Sequence, residues 1–368
     1  MRLAYDLSVL RHPPAGTARY AVELLAAMRH AANGDEIHEV EGWRRLRRGG
    51  PFRRLANLAA DLTWLRSGAA RSVAEYRPAA WFSPSNLLPH GLGCPAVVSV
   101  LDTNVVTAAR TYDRGYALYA ARMFRSAARR ADLILTISKS SKAHISEIFG
   151  VPGDRIRVAY PGIDHTLAGT PAARPRNLPA RYALFVGQTE PHKNLVRLVE
   201  AWARGVPRDL DLVIAGPIGR GESDLANAIS QSSVRHRIHR MSGLSEAVLA
   251  RLYIDAACFV SPSLAEGFGM PPLEAMAHGV PTAVSAIDTF IEVMRGAALT
   301  FDPTDVDALA QAITVVSDDL EVRGRLSAAG REVAAGYLWS STAAIAWQAV
   351  RDVVARQDAG HPAEPAGS

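Results

Sequence analysis

Cysteine and lysine are both scarce in this chain. Its 368 residues include two cysteines, Cys94 and Cys258, far apart and in apolar surroundings. That excludes a disulfide framework, and there is no Cys-x-x-Cys pair or Cys/His cluster of metal-binding spacing. Two free thiols suit a reducing compartment, so a cytoplasmic protein is expected. Lysine occurs only at Lys139, Lys142 and Lys193, so the positive charge behind the net +5 is nearly all arginine. No apolar run approaches the ~20 residues of a membrane span. The opening "MRLAYDLSVLRHPPAGTARY" lacks the apolar core of a signal peptide. With 48% hydrophobic and 21% charged residues, the composition is that of a globular protein, and the length suits two domains. Residues 357–368, "QDAGHPAEPAGS", are polar and proline-rich, the composition of a flexible tail.

Short apolar runs alternate with helical patterns along the chain. "MRLAYDL", "AAWFSP", "AVVSVLD", "LILTIS" and "IRVAYPG" are strand-like in the first half. "YALFVG", "LDLVIAG", "HRIHRMSG", "CFVSPS" and "PTAVS" are strand-like in the second. Between them lie segments such as "ARYAVELLAAMRHA" and "LVRLVEAWARG" with apolar residues at helical spacing. Repeated βα alternation predicts an α/β chain of parallel sheets covered by helices. The pattern breaks at "DHTLAGTPAARPRNLPARY", residues 164–182, a proline-rich linker. The expected organisation is a first doubly wound domain over 1–170 and a second over 177–339. A helix over 340–356 is expected to pack back on the first. Two such domains facing each other create a cleft at the carboxyl ends of their strands, where ligands bind.

The chemistry concentrates in "SLAEGFGMPPLEAMAHGVPTAVS", residues 263–285. A strand ends near Ser263, a loop carries Glu266, and Pro271 and Pro272 suit the first turn of a helix. Gly279 is the expected C-terminal cap, before a strand opened by Pro281. Leu273, Met276 and Ala277 form the expected buried stripe, with Glu274 off it, in the first turn. Free backbone N–H groups and the positive end of the helix dipole then lie between two carboxylates, a site suited to a diphosphate. The carboxylates would accept hydrogen bonds from hydroxyls on either side. A diphosphate flanked by a sugar and a ribose is a nucleotide sugar. The plainer alternative is that Glu274 only complements the dipole and Glu266 is a solvated loop residue.

The same stretch resembles the Glu–seven–Glu signature of the retaining glycosyltransferases of family 4 (glycosyl transferases group 1), which have the GT-B fold: two Rossmann-like doubly wound domains facing across a cleft. "DLSVLRHPPAGTARYAVELL", "ADLILTISKSSKAHI", "DRIRVAYPGID", "YALFVGQTEPHKNLVRLVEAW" and "LSEAVLARLYIDAACFVSPSLAEGFGMP" resemble further segments of that family in the same order. The resemblance spans roughly residues 1–350 and is nearest to the mannosyltransferase-like branch that builds bacterial surface polysaccharides.

The resemblance implies residue roles. Glu266 would contact the transferred sugar and Glu274 the ribose. The backbone along Gly267, Phe268, Gly269 and Met270 would face the sugar and phosphates. Lys193 would neutralise the donor diphosphate, as a site without a metal requires. His192 stands where relatives often carry arginine, and adds a cation only when protonated. Gly16 and Thr17 match a glycine-rich turn near the phosphate and acceptor; a simple turn is the alternative. At "VVSVLDTN" relatives usually show His-Asp, whereas here Leu101 replaces the histidine and Asp102 remains, to orient a sugar or cap the strand end. The Asp-x-Asp pairs at 209–211 and 305–307 are structural, and no metal is implied.

Residues 42–71 carry Arg44, Arg45, Arg47, Arg48, Arg53, Arg54, Arg66 and Arg71 against Asp61, interleaved with Trp43, Phe52 and Trp64. Arg122, Arg125 and Arg129 add a stripe at helical spacing. Contact with an anionic membrane surface is one reading, a solvated face the other; no nucleic-acid-binding module is recognisable. The expectation is a metal-independent retaining glycosyltransferase with no cofactor. Its partners would be a nucleotide-sugar donor, GDP-mannose favoured by the resemblance, and a glycan, lipid-linked or small-molecule acceptor. The rivals are a transferase of antibiotic or secondary-metabolite synthesis, a nucleotide-sugar epimerase, and a nucleotide-sugar-binding protein with a degenerate site.

Overall fold

The computed structural model describes residues 1–11, 16–42, 52–103, 106, 114–167 and 169–360. Contacts divide the chain into two units: Met1–Val106 with Arg114–Pro161 and the residues from Trp339 onward, and Gly162–Leu338. The division falls at Pro161/Gly162, so the proline-rich stretch 164–182 belongs wholly to the second unit.

Among the described residues, six parallel strands form the first unit's sheet. They are β1 (Arg2–Asp6), β2 (Glu36–Val40), β3 (Ala80–Ser83), β4 (Ala96–Ser99), β5 (Leu133–Thr136) and β6 (Ile156–Val158), in the order β2-β1-β3-β4-β5-β6. The inner strands β3, β4 and β5 are buried along their whole length, the mark of a parallel sheet covered on both faces. The Gly16–His30 helix buries Tyr20, Leu24, Leu25 and Met28, at helical spacing. The Trp339–Gly360 helix packs on it, and the Trp347 indole donates to the Met28 carbonyl at 2.9 Å.

The second unit repeats the plan with β7 (Tyr182–Val186), β8 (Asp211–Ala215), β9 (Ile238–Met241), β10 (Cys258–Ser261), β11 (Thr282–Ser285) and β12 (Leu299–Phe301). Their order is β12-β11-β10-β7-β8-β9. The chain winds outward from β7 through β8 and β9, then crosses to β10 on the other side of β7. The strand order therefore reverses between β7 and β10, the place where open α/β sheets bind ligands. One core cluster buries Phe185, Leu198, Trp202, Leu212 and Ile313. A second holds Tyr182, Tyr253 and Phe259.

Two edge strands lie outside the sequence-derived set: β2, "EIHEV", and β12, "LTF". No helix among the described residues is long and apolar enough to cross a membrane. The arginine stripe is partly committed within the fold. Arg125 and Arg129 donate to the carbonyls of Ile148 and Phe149 at the end of the Lys139–Phe149 helix. Trp64, expected among the interleaved surface aromatics, is 5% exposed and packs in the core. Arg71 bonds back to Ser67. Trp43, Arg44, Arg45, Arg47 and Arg48, and the side chains of Phe52, Arg53 and Arg54, lie outside the described residues.

Candidate active site

The second unit's switch point brings together residues distant in sequence. Lys193 ends a short 3-10 turn, Pro191–Lys193, after β7. Glu266 lies on the loop after β10. Lys193 Nζ is 2.6 Å from Glu266 Oε1, and Ser263 Oγ donates to the same oxygen at 2.7 Å. Among the described residues no donor meets Oε2. The Glu266 carbonyl accepts from Thr289 Oγ1 at 2.9 Å, which fixes the loop from its other side. The side chains of Lys193 and Glu266 are 17% and 13% exposed, so the pair is sheltered but reachable.

Electrostatics follow from this enclosure. Burial alone pushes the Glu266 carboxyl up. The Lys193 charge, joined at acid pH by protonated His192, and the bonds from Lys193 and Ser263 outweigh it and hold the carboxyl below its ordinary range. His192 behaves oppositely. Burial, then Lys193, push its pKa down against the pull of Glu266 and Glu190, so the imidazole is neutral at neutral pH. It does not supply the missing cation. Its Nδ1 is buried with no partner among the described residues, and its carbonyl accepts from Leu264 N, clipping the β7 and β10 loops together.

Asn194 reinforces that clip. Its backbone is left-handed at φ 59°, and Nδ2 donates to the carbonyls of Pro262 at 3.0 Å and Pro303 at 2.8 Å. Asn194→Ala is expected to cost about 1–2 kcal/mol, by stranding two carbonyls and straining the backbone. Urea unfolding measures it; an unchanged midpoint would refute the clip.

The signature helix runs Met270–Ala277 from an N-cap at Gly269. Gly279 terminates it as expected: its φ is +74°, its N–H reaches Met276 O, and Val280 N reaches Ala275 O. Pro271 and Pro272 fall inside the first turn, as expected, and carry no N–H, so the backbone donors there are confined to Met270 and the preceding loop. One expectation needs correction. Glu274 is not on an outer face. It is 2% exposed, whereas Ala277, expected in the buried stripe, is partly exposed. Tyr253, from the Glu246–Asp255 helix, donates to Glu274 Oε2 at 2.7 Å, so the enclosed carboxylate is supplied with a donor. His165 Nε2 stands 3.7 Å from Oε1. Gly267 and Gly269 are buried, and the Phe268 ring packs edge-on against Tyr337 with centroids 5.4 Å apart.

The remaining expected residues, Gly16, Thr17 and Asp102, lie in the first unit. Gly16 and Thr17 open the Gly16–His30 helix that follows β1, and Asp102 follows β4, at the carboxyl edge of the sheet. Leu101 is buried and its N–H donates to Asn86 Oδ1. The sequence reading passed over Asp6, at the end of β1. It is 1% exposed, accepts from Ser8 N and Ser83 Oγ, and is raised by burial despite those bonds. An aspartate closing an apolar strand was the available signal. Also passed over was Thr189, which donates to Glu222 and accepts from Gly219 N beside the Lys193 turn.

No cluster of metal-ligating side chains is formed among the described residues. Asp305 caps a helix through the N–H groups of Asp307 and Ala308, while Asp209 pairs with Arg181 and Asp211 with His239.

Residues 5–167 match the family model described as Glycosyltransferase Family 4, and residues 171–333 match Glycosyl transferases group 1. The chain belongs to this glycosyltransferase family. This glycosyltransferase is 28% identical over 377 residues to O-antigen chain mannosyltransferase B of Escherichia coli, covering 93% of this chain and 97% of that protein. It is 31% identical over 227 residues to MMP alpha-(1->4)-mannosyltransferase of Mycolicibacterium hassiacum, covering 60% of this chain and 54% of that one. In fold it resembles a sucrose-phosphate synthase from Thermosynechococcus elongatus, with TM-score 0.78 at 20% identity over 96% of this chain and 99% of the other. The fold is the GT-B type.

Proposed function

We propose that this glycosyltransferase moves a hexose, mannose by preference, from a nucleotide sugar to a hydroxyl of a glycan, lipid-linked or small-molecule acceptor, with retained configuration and without a metal or other cofactor. The observation that carries this is the Lys193–Glu266 pair at the β7/β10 switch point. Lys193 is the one lysine of the second unit, and as a point charge it suits a leaving diphosphate. Glu266 keeps Oε2 for a sugar hydroxyl while Oε1 stays bound to Lys193 and Ser263. The positive end of the 270–277 helix adds to the field. The two mannosyltransferases above support mannose as the sugar.

In the reaction, the acceptor oxygen bonds to the anomeric carbon as the bond from that carbon to the diphosphate oxygen breaks. The acceptor proton passes to the departing diphosphate, and attack on the leaving group's own face retains configuration. Lys193 stabilises the charge that grows on the diphosphate. GDP-mannose is the favoured donor.

The test is thermal stability against GDP-, UDP-, dTDP- and ADP-sugars in EDTA. One nucleotide class, at 100 times its dissociation constant, is expected to stabilise the wild type by ~2.7 kcal/mol and to fail with Glu274→Ala. Stabilisation by none of them, or only after a divalent cation is added, would overturn the proposal.

A further inference from the structure

The charge around Lys193 does not balance for a diphosphate. Lys193 is held at 2.6 Å by Glu266, and His192 is neutral at neutral pH. A guanidinium reaches the same turn from the loop after β8. Arg220 Nε donates to Glu190 Oε2 at 2.8 Å, and Nη2 stands 2.5 Å from the same oxygen. Glu190 is the N-cap of the 3-10 turn that ends at Lys193, and its carbonyl accepts from Lys193 N at 2.9 Å. After burial and Lys193, the Arg220 charge is a further cause that lowers the His192 pKa, against the pull of Glu266 and Glu190. The guanidinium therefore acts on the side chain next to Lys193.

The loop is built to hold this arginine in place. Gly219 and Gly221 flank it, and both lie against Thr189. Gly221 N donates to the Thr189 carbonyl at 2.8 Å, and Gly219 N to Thr189 Oγ1 at 2.7 Å. A Cβ on Gly219 would fall 2.6 Å from the Thr189 carbonyl oxygen, and one on Gly221 3.0 Å from it. Approach this close favours glycine on both sides, and it ties the arginine's backbone to the segment carrying Glu190 and Lys193. Arg240, by contrast, spends donors on the carbonyls of Ile214, Gly216 and Pro217 and on Glu222, and so serves the fold. The Arg220 side chain is 39% exposed, within reach of a ligand.

We propose that Arg220 is a donor-binding residue: presented by the 219–221 loop and held ready by Glu190, its guanidinium engages the diphosphate of the nucleotide sugar and supplies the charge that His192 does not. This rests on the nucleotide-sugar reading above. A guanidinium has donors on more than one edge, so it can turn one toward a carboxylate and another toward a phosphate. Held by Glu190 beforehand, the long side chain has less rotamer freedom to lose on binding.

The test is calorimetric binding of GDP, UDP and ADP, each against its monophosphate, to wild type, Arg220→Met and Arg220→Lys. The wild type is expected to bind one diphosphate well. Arg220→Met is expected to lose about tenfold in affinity for that diphosphate and distinctly less for its monophosphate, because the lost attraction scales with the charge in reach. Arg220→Lys keeps the charge without the planar fork and is expected to recover part of the loss. A merely structural role would weaken both forms equally, and that result, or no loss at all, overturns the inference while leaving the nucleotide-sugar reading intact. Binding of no nucleotide by the wild type removes that reading and this inference together. Because Arg220→Met leaves Glu190 without its guanidinium, the same pairs are measured with Glu190→Gln and with Glu190→Gln/Arg220→Met, which leave no carboxylate there. The Arg220 substitution is expected to weaken diphosphate binding severalfold in the Glu190→Gln background as well. No loss in that background would mean that the effect came from the uncompensated charge of Glu190, and overturns the inference.

Discussion

Lys193→Met is expected to lower the transfer rate by about 10²–10³-fold, the scale on which removal of one preorganised electrostatic donor acts. Donor affinity should fall less than kcat, because charge on the diphosphate grows as the glycosidic bond breaks. The same substitution has a second signature in stability. Lys193 is the strongest opponent of burial at Glu266. In the wild type the carboxyl is held below its ordinary range, so its contribution is present above the unfolded value of ~4.3 and lost as pH falls through the lower folded value. Without Lys193, burial is opposed only by His192 and the Ser263 bond, so the carboxyl moves up. The stability that the ionised carboxylate contributes at neutral pH shrinks accordingly. The stability deficit of Lys193→Met should therefore be small near pH 4 and reach about 1–3 kcal/mol at pH 7. Denaturation at several pH values together with steady-state kinetics measures both. A deficit independent of pH would mean that the 2.6 Å contact does not set the state of Glu266. Lys193→Arg should restore much of the stability and less of the rate, since the planar fork sits differently on a diphosphate.

The pair behind that prediction was half legible in the sequence. Each residue was singled out, but nothing local says that they meet, because they are separated by 73 positions and joined only by the crossing of the strand order between β7 and β10. The inner strands were legible because parallel strands buried on both faces are continuous apolar runs, such as "LILT" and "CFVS". The two missed strands are edges. "EIHEV" alternates charge with apolar residues and is half solvated, and "LTF" is too short to carry a period. Glu274 was misplaced for a related reason. Periodicity over "LEAMAH" ranks residues by polarity and assigns a glutamate to water. Inside, the phenol of Tyr253, from another helix, donates to it. The helix stop was fully legible, since a glycine before the next strand's proline is a local device. The Lys139–Phe149 helix shows the limit of reading charge alone, because arginines that looked like a surface stripe spend donors on its last carbonyls.

Gly269→Ala is expected to destabilise the second unit by about 2–5 kcal/mol and to abolish donor binding at ordinary concentrations. Two independent causes act. Gly269 has φ +98° and ψ 52°, a conformation that costs an L side chain ~1–3 kcal/mol. Its added Cβ would also fall 2.6 Å from Phe290 Cε1, with Cδ1 at 3.1 Å and Met294 Cε at 3.4 Å behind it. Phe290 is 0% exposed and Met294 1%, so neither side chain has room to retreat, and overpacking adds ~1–3 kcal/mol. Relief must come from the other side, by moving the start of the 270–277 helix. That motion displaces the Met270 N–H and turns Glu274 away from Tyr253, while Glu266, tied separately to Lys193, Ser263 and Thr289, stays in place. The two halves of the signature should therefore come apart. Phe290→Leu in the Gly269→Ala background removes the clash and leaves the backbone strain, so it is expected to recover part of the lost stability. Chemical denaturation of the single and double variants, with nucleotide binding on each, measures the division. Full recovery in the double variant would mean that the left-handed backbone carries no cost, and no recovery would mean that Phe290 was never in the way.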